Sequence, residues 1–156
     1  MVSALPPAPL TVRRAATSDV DVALPLFLGY LDFYGTTHPP ERARAFLAAR
    51  LEAGESVLFL AESGDQAVGL AQVYPTFSSL GLRLTWTLND LFVDPAARGT
   101  GAGRALVRAV ADAARAAGAR HVALSTARTN SRAQSLYEDE GFVRDDEFLG
   151  YVLPLG

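Results

Sequence analysis

The stretch Leu91-Phe92-Val93-Asp94-Pro95-Ala96-Ala97-Arg98-Gly99-Thr100-Gly101-Ala102-Gly103-Arg104 carries the clearest chemical signal in the chain. It runs from an apolar, strand-like segment through a proline-initiated turn into a glycine-rich helix start. Gly99, Gly101 and Gly103 bring no side chain that would hold an anion away from the backbone. The first N–H groups of a helix have no partner inside it, and the helix dipole adds partial positive charge there. Arg98 and Arg104 add full charges. This combination makes an anion site suited to phosphate groups.

Other phosphate chemistries need other residues. A Walker A loop ends in Gly-Lys-Ser/Thr, and all 14 basic residues here are arginine, so a nucleotide triphosphatase is disfavoured. A dinucleotide fingerprint spaces its glycines as Gly-x-Gly-x-x-Gly, whereas these three are evenly spaced. A glycine loop with no ligand is the plainer alternative, but glycines near a helix start cost stability unless something approaches the backbone.

A second block lies downstream: Asn130-Ser131-Arg132-Ala133-Gln134-Ser135-Leu136-Tyr137-Glu138-Asp139-Glu140-Gly141-Phe142. Arg98-x-x-Gly101-x-Gly103 resembles the Arg/Gln-x-x-Gly-x-Gly/Ala pyrophosphate motif of the GNAT superfamily of acetyltransferases. The downstream block is similar to that family's Asn-x-x-Ala-x-x-Leu-Tyr-x-x-x-Gly-Phe. Both occur in the family's order, and the clear resemblance spans about Leu88–Phe142. It implies a GNAT-like α/β fold with a mixed sheet, acetyl-CoA as co-substrate and no metal. The implied reaction is acetyl transfer to a primary amine by direct attack in a ternary complex. The rival class is a noncatalytic acyl-CoA sensor or regulatory module.

The resemblance also assigns roles. The backbone of Leu91, Phe92 and Val93 would pair with the pantetheine arm beside a bulge, their side chains packing as core. The N–H of Leu91 or Phe92 would polarise the thioester carbonyl. Arg98, Gly99, Thr100, Gly101, Ala102, Gly103 and Arg104 would cradle the pyrophosphate. Asn130 would touch the coenzyme arm; the alternative is a helix N-cap. Tyr137 would lie near the sulfur and protonate the leaving thiolate as general acid, the alternative being a packed aromatic.

The acceptor must lose a proton first, which for an amine of pKa near 10.4 costs about 4–5 kcal/mol at pH 7. Some family members use a glutamate on the strand before the helix that Asn130 opens, but Leu124-Ser125-Thr126 offers no acid. Asp90, the one carboxylate within Leu82–Val93, is the base candidate, directly or through a water. A structural aspartate at the bulge is the equal alternative. Asn89 would orient the acceptor or occupy the solvent face. The family's acceptor pocket is roofed by the first helices, where Tyr30 and Tyr34 are candidate lining residues, with Asp32, Phe33 and His38 nearby. Aromatic residues at helical spacing are otherwise core. Leu88-Asn89-Asp90-Leu91-Phe92-Val93 and Phe148-x-x-Tyr151-x-Leu153 are similar to a branch acting on histone-type and small amines, which leans the acceptor toward a small cationic amine or a protein amino group.

These residues need a scaffold, and the pattern supplies one. Leu10–Ala15 reads as a strand, and Thr17–Tyr34 as a helix kinked or broken at Pro25. Pro39–Ala53 reads as a second helix, closed by Gly54. Ser56–Ser63, Ala67–Pro75 and Leu82–Val93 form an antiparallel meander, the first pair joined by turn residues Ser63-Gly64-Asp65. Gly101–Ala117 is an amphipathic helix, and His121–Thr126 a strand parallel to the one before it if the unit is βαβ. Asn130–Glu140 is a helix, and Phe142–Leu153 one or two closing strands.

The 156 residues suit one domain over 10–156 after a flexible arm over 1–9. An apolar fraction of 49% with 20% charged residues is that of a soluble globule. A net charge of −3 argues against nucleic-acid binding and permits a cationic substrate. The absence of cysteine removes disulfides, thiol nucleophiles and thiolate-bound zinc, and only His38 and His121 remain as imidazole ligands. The lack of lysine also excludes side-chain lysine autoacetylation. Met1–Pro9 does not read as a signal peptide and no apolar run spans a bilayer, so a cytoplasmic protein without membrane association is expected. A homodimer is expected by analogy with the family.

Overall fold

The computed structural model describes residues 8–156. The expected arm over 1–9 therefore lies, up to residue 7, outside the described residues. Two compact units emerge, Met1–Ser125 and Thr126–Gly156.

The first unit is a five-stranded sheet with helices on both faces. Its elements run β1 (Leu10–Arg14), α1 (Val20–Phe33), α2 (Pro40–Glu52), β2 (Val57–Ser63), β3 (Gln66–Ser78), β4 (Arg83–Val93), α3 (Ala102–Ala116) and β5 (Val122–Ala123). The strands lie in the order β1-β2-β3-β4-β5. The first four are antiparallel neighbours, and β5 runs parallel to β4 after the α3 crossover. The expected meander and βαβ unit are both present.

The central strands are buried on both faces, which is why Val57–Ala61 reads as a continuous apolar run rather than an alternating one. Alternation assigns the faces. Leu58, Leu60 and Leu70 join Val20, Ala23, Leu26 and Phe27 of α1 and Ala43 and Leu47 of α2 in one core. On the opposite face a Cβ placed on Gly69 would meet Leu106 of α3 at 3.1 Å, so α3 packs there through Leu106, Val107, Val110 and Ala114.

Helix α1 continues through Pro25 without a break; the acceptor that the proline leaves unused belongs to the solvent-facing first turn at Asp21. Two expectations are corrected. Strand β5 is two residues long rather than spanning His121–Thr126; it pairs only with Trp86 and Thr87 before β4 bends at a bulge. No strand forms over Phe142–Leu153. Within the second unit the Asp145 carboxylate accepts the N–H groups of Glu147 and Phe148, a local turn that competes with extended pairing. That unit holds α4 (Ser131–Asp139), closed by Gly141 at φ +91°.

Candidate active site at the β4 bulge and the head of α3

Asp90 pairs with Gln72, but Leu88 pairs with Val73, so Asn89 is an extra residue in β4. This bulge decides what Asp90 faces. In a regular strand Leu88 and Asp90 share a face; the inserted residue sends them to opposite ones. Leu88 stays on the α3 face, while Asp90 and then Phe92 turn beneath α1. Helix α1 is shaped to receive them: a Cβ on Gly29 would lie 2.7 Å from the Phe92 ring.

Asp90 is almost wholly buried, at 2% exposure. Its carboxylate accepts the side-chain amide of Gln72 at 2.6 Å and that of Asn89 at 2.8 Å. The Tyr30 hydroxyl donates to the Asn89 carbonyl at 3.3 Å. Burial first, then the negative charge of Asp90, raises the Tyr30 phenol above its ordinary range. Burial and the same carboxylate push Tyr74 up to about 12, partly offset by the positive charge of Arg50. Tyr34 meets Tyr30 edge-on at 5.0 Å and is itself exposed. The cluster is thus a carboxylate set among neutral phenols and amides.

On its other side β4 has no strand partner beyond Thr87 among the described residues. The N–H of Trp86 bonds to the His121 carbonyl at 3.0 Å, and pairing to β5 stops at Thr87. The N–H of Asp94 bonds to Val68 of β3 at 2.8 Å. Counting back by alternation, the backbone groups of Phe92 and Asp90 point to β3, and those of Val93 and Leu91 point outward. The Arg98 guanidinium reaches the Val93 carbonyl at 3.4 Å, consistent with that direction. Of the two amides considered from sequence, Leu91 is available along this edge and Phe92 is engaged by the sheet.

The turn into α3 follows at once. Asp94 caps a single 3-10 turn at Pro95–Ala97 by accepting the Ala96 N–H at 2.8 Å, and the Thr100 hydroxyl donates to the Ala97 carbonyl at 2.6 Å. Gly99 and Gly101 sit at φ +81° and +91°, a conformation that disfavours any side chain. Gly101 caps α3 with no side-chain hydrogen bond. The Ala105 N–H bonds to the Gly101 carbonyl at 3.0 Å, so the N–H groups of Ala102 and Gly103 precede the helical ladder. Nothing lies within 4 Å of a Cβ built on Gly99 or Gly101, and Arg98 is exposed beside them. Backbone donors, open space and arginine fit a diphosphate.

Residues 25–142 match the model of the acetyltransferase (GNAT) family. The chain belongs to this GNAT acetyltransferase family. It is 44% identical over 144 residues to the "uncharacterized N-acetyltransferase YhfO" of Bacillus subtilis (strain 168), covering 92% of this chain and 97% of that one. A crystal structure of a "probable acetyltransferase" superposes with TM-score 0.88 at 38% identity, covering 94% and 98% of the two chains. A "predicted acetyltransferase with acetyl-CoA" from Clostridium acetobutylicum shares the fold, with TM-score 0.74 at 16% identity over 92% and 96% of the chains. The resemblance drawn from Arg98–Gly103 and Asn130–Phe142 thus identified the GNAT fold and enzyme class.

The fold brings Tyr30, Tyr34, Asn89 and Asp90 into one cluster, with the Leu91–Arg104 segment continuing from it. In the second unit Asn130 caps α4, its side-chain oxygen accepting the Ala133 N–H at 3.2 Å; the NH2 end is what it can offer a ligand. Tyr137 lies 5.7 Å from the Phe142 ring, whose residue donates its N–H to the Tyr137 carbonyl at 2.9 Å. Sequence reasoning missed Gln72 and Tyr74. The signal was there: Gln72 is the lone polar side chain in Gly69-Leu70-Ala71-Gln72-Val73, a run with both faces covered.

Proposed function

We propose that the protein transfers the acetyl group of acetyl-CoA to a primary amine, carried by a small cationic molecule or by a protein, through direct attack in a ternary complex. One observation carries this reading: consecutive residues of β4 offer a buried carboxylate beneath α1, at Asp90, and an outward N–H, at Leu91.

Acetyl-CoA supplies the acyl group as an activated thioester. The α3 head holds the diphosphate through the N–H groups of Ala102 and Gly103, within the Gly99–Arg104 loop and beside Arg98. The backbone of Leu91 and Val93 holds the pantetheine arm as an added strand. Asp90 takes the proton from the acceptor ammonium, directly or through a water, which releases the lone pair for attack. Leu91 donates its N–H to the carbonyl oxygen as negative charge builds there. As the C–S bond breaks, Tyr137 protonates the departing sulfur, as the family resemblance implies, and the phenol is restored by the second proton that the nitrogen sheds on becoming an amide; the NH2 end of Asn130 contacts the coenzyme arm. Tyr30, Tyr34 and Asn89 line the acceptor side, where aromatic faces and a carboxylate suit a cation.

The test is incubation of purified protein with acetyl-CoA and a panel of polyamines, amino acids, basic peptides and aminoglycosides, following free thiol. Amine-dependent thiol release supports the reading. Coenzyme binding by calorimetry with no acceleration by any amine removes the acceptor half of it.

A further inference from the structure

Gln72 belongs to none of the motifs that mark the family in this chain, yet it is fully buried and spends its amide on Asp90. Its side-chain oxygen has no hydrogen-bond partner among the described residues. A buried acceptor without a donor is destabilising, and methionine would fill nearly the same volume without that penalty. Packing alone therefore does not account for glutamine here. The geometry does. The bulge at Asn89 swings the Asp90 side chain into the α1 face, and Gln72 is its partner across the strand pair. Asn89 holds Oδ1 and Gln72 holds Oδ2, so the carboxylate is fixed at both oxygens.

We propose that Gln72 is a positioning residue for acyl transfer, locking the Asp90 carboxylate in the orientation that receives the acceptor's proton. This rests on the reading of Asp90 as base. The groups facing that carboxylate are Tyr30 from α1 and Tyr74 from β3, with Tyr34 packed on Tyr30 and Arg50 of α2 acting on Tyr74. None of these is a carboxylate or an imidazole.

Two substitutions test it in the full chain, with thermal melts to confirm folding. Gln72→Met removes the donor at nearly constant volume. Gln72→Glu places a second carboxylate against the first, and two such groups resist ionising together. The expected result is a fall in kcat of roughly ten- to a hundredfold for Gln72→Met, the scale of a misplaced catalytic group, with CoA affinity by calorimetry preserved. In Gln72→Glu the acid limb of kcat/KM moves to higher pH. In an Asp90→Asn background the same Gln72 changes have no further effect on kcat, because the residue acts through Asp90. Wild-type kcat and an unmoved acid limb in either folded Gln72 variant overturn the proposal. Full activity in Asp90→Asn alone overturns the base assignment and this inference together, whereas an inactive Asp90→Asn beside a fully active Gln72→Met sinks only the inference. If Gln72→Met does not fold, Gln72→Glu carries the test.

Discussion

Gln72 on β3 and Asp90 on β4 meet side chain to side chain at 2.6 Å because Asn89 is one residue too many for the strand pairing. Without it Asp90 would lie on the α3 face with Leu88, away from Tyr30. A one-residue irregularity thus sets a carboxylate beneath α1, one step along the chain from the outward amide of Leu91.

Asp90→Asn keeps the shape and removes the base. Turnover should fall by about a hundred- to ten-thousandfold while CoA affinity is unchanged, read by thiol release and calorimetry in parallel. Activity within threefold of wild type would show the aspartate to be structural.

Tyr137→Phe should lower kcat and leave CoA binding intact, because only the proton given to the departing sulfur is lost. A thiol-ester substrate with a more acidic leaving thiol should narrow the gap to wild type, since that thiol departs without help. Equal turnover in wild type and variant contradicts the role.

Gly101→Ala meets open space, so its penalty is conformational rather than steric: an L-residue forced to φ +91° costs about 1–2 kcal/mol. Melting temperature should drop and CoA affinity should weaken as the loop relaxes. A stable variant with native affinity would mean that the turn does not shape the diphosphate site.

Gly29→Ala adds a methyl 2.7 Å from the Phe92 ring. Helix propensity favours alanine by up to about 1 kcal/mol, but overpacking costs about 1–3 kcal/mol, so a net loss of stability is expected. A second change, Phe92→Leu, should restore it. Recovery in the double variant, read from denaturant midpoints, identifies the contact.

The alkaline limb of stability should belong to Tyr30 and Tyr74. A phenol held above its ordinary value of 10 binds its proton more tightly in the folded chain. That contribution is intact below about pH 10 and is lost as pH climbs toward 12, where Tyr74 ionises. Stability measured in denaturant should therefore decline over that window, and Tyr74→Phe should flatten the decline. An identical slope in the variant counts against the assignment.

Much of this was legible in the residues. Gly99 and Gly101 announced a backbone open to an anion, and the stripe Leu106, Val110 announced the helix behind it. The family resemblance put Tyr30 and Asp90 separately among the acceptor-side candidates, and the fold sets them in one cluster. The bulge's position at Asn89 was not legible, because it is a property of pairing between two strands and leaves no trace in either one. Gln72 escaped for the same reason: its meaning lies in the residue opposite. The short β5 and the strandless Phe142–Leu153 were misjudged because apolar alternation records the capacity to pair, and here the partner bends away or a local Asp145 turn intervenes.

Since pairing to β5 stops at Thr87, the backbone of Leu91 and Val93 has no strand beside it among the described residues, and on the proposed reading coenzyme A takes that place. Any ligand that binds only the folded chain adds RT ln(1 + [L]/Kd), about 2.7 kcal/mol at a hundredfold excess over Kd. Amide exchange at Leu91 and Val93 should slow as the coenzyme is added, and resistance to proteolysis should rise with it.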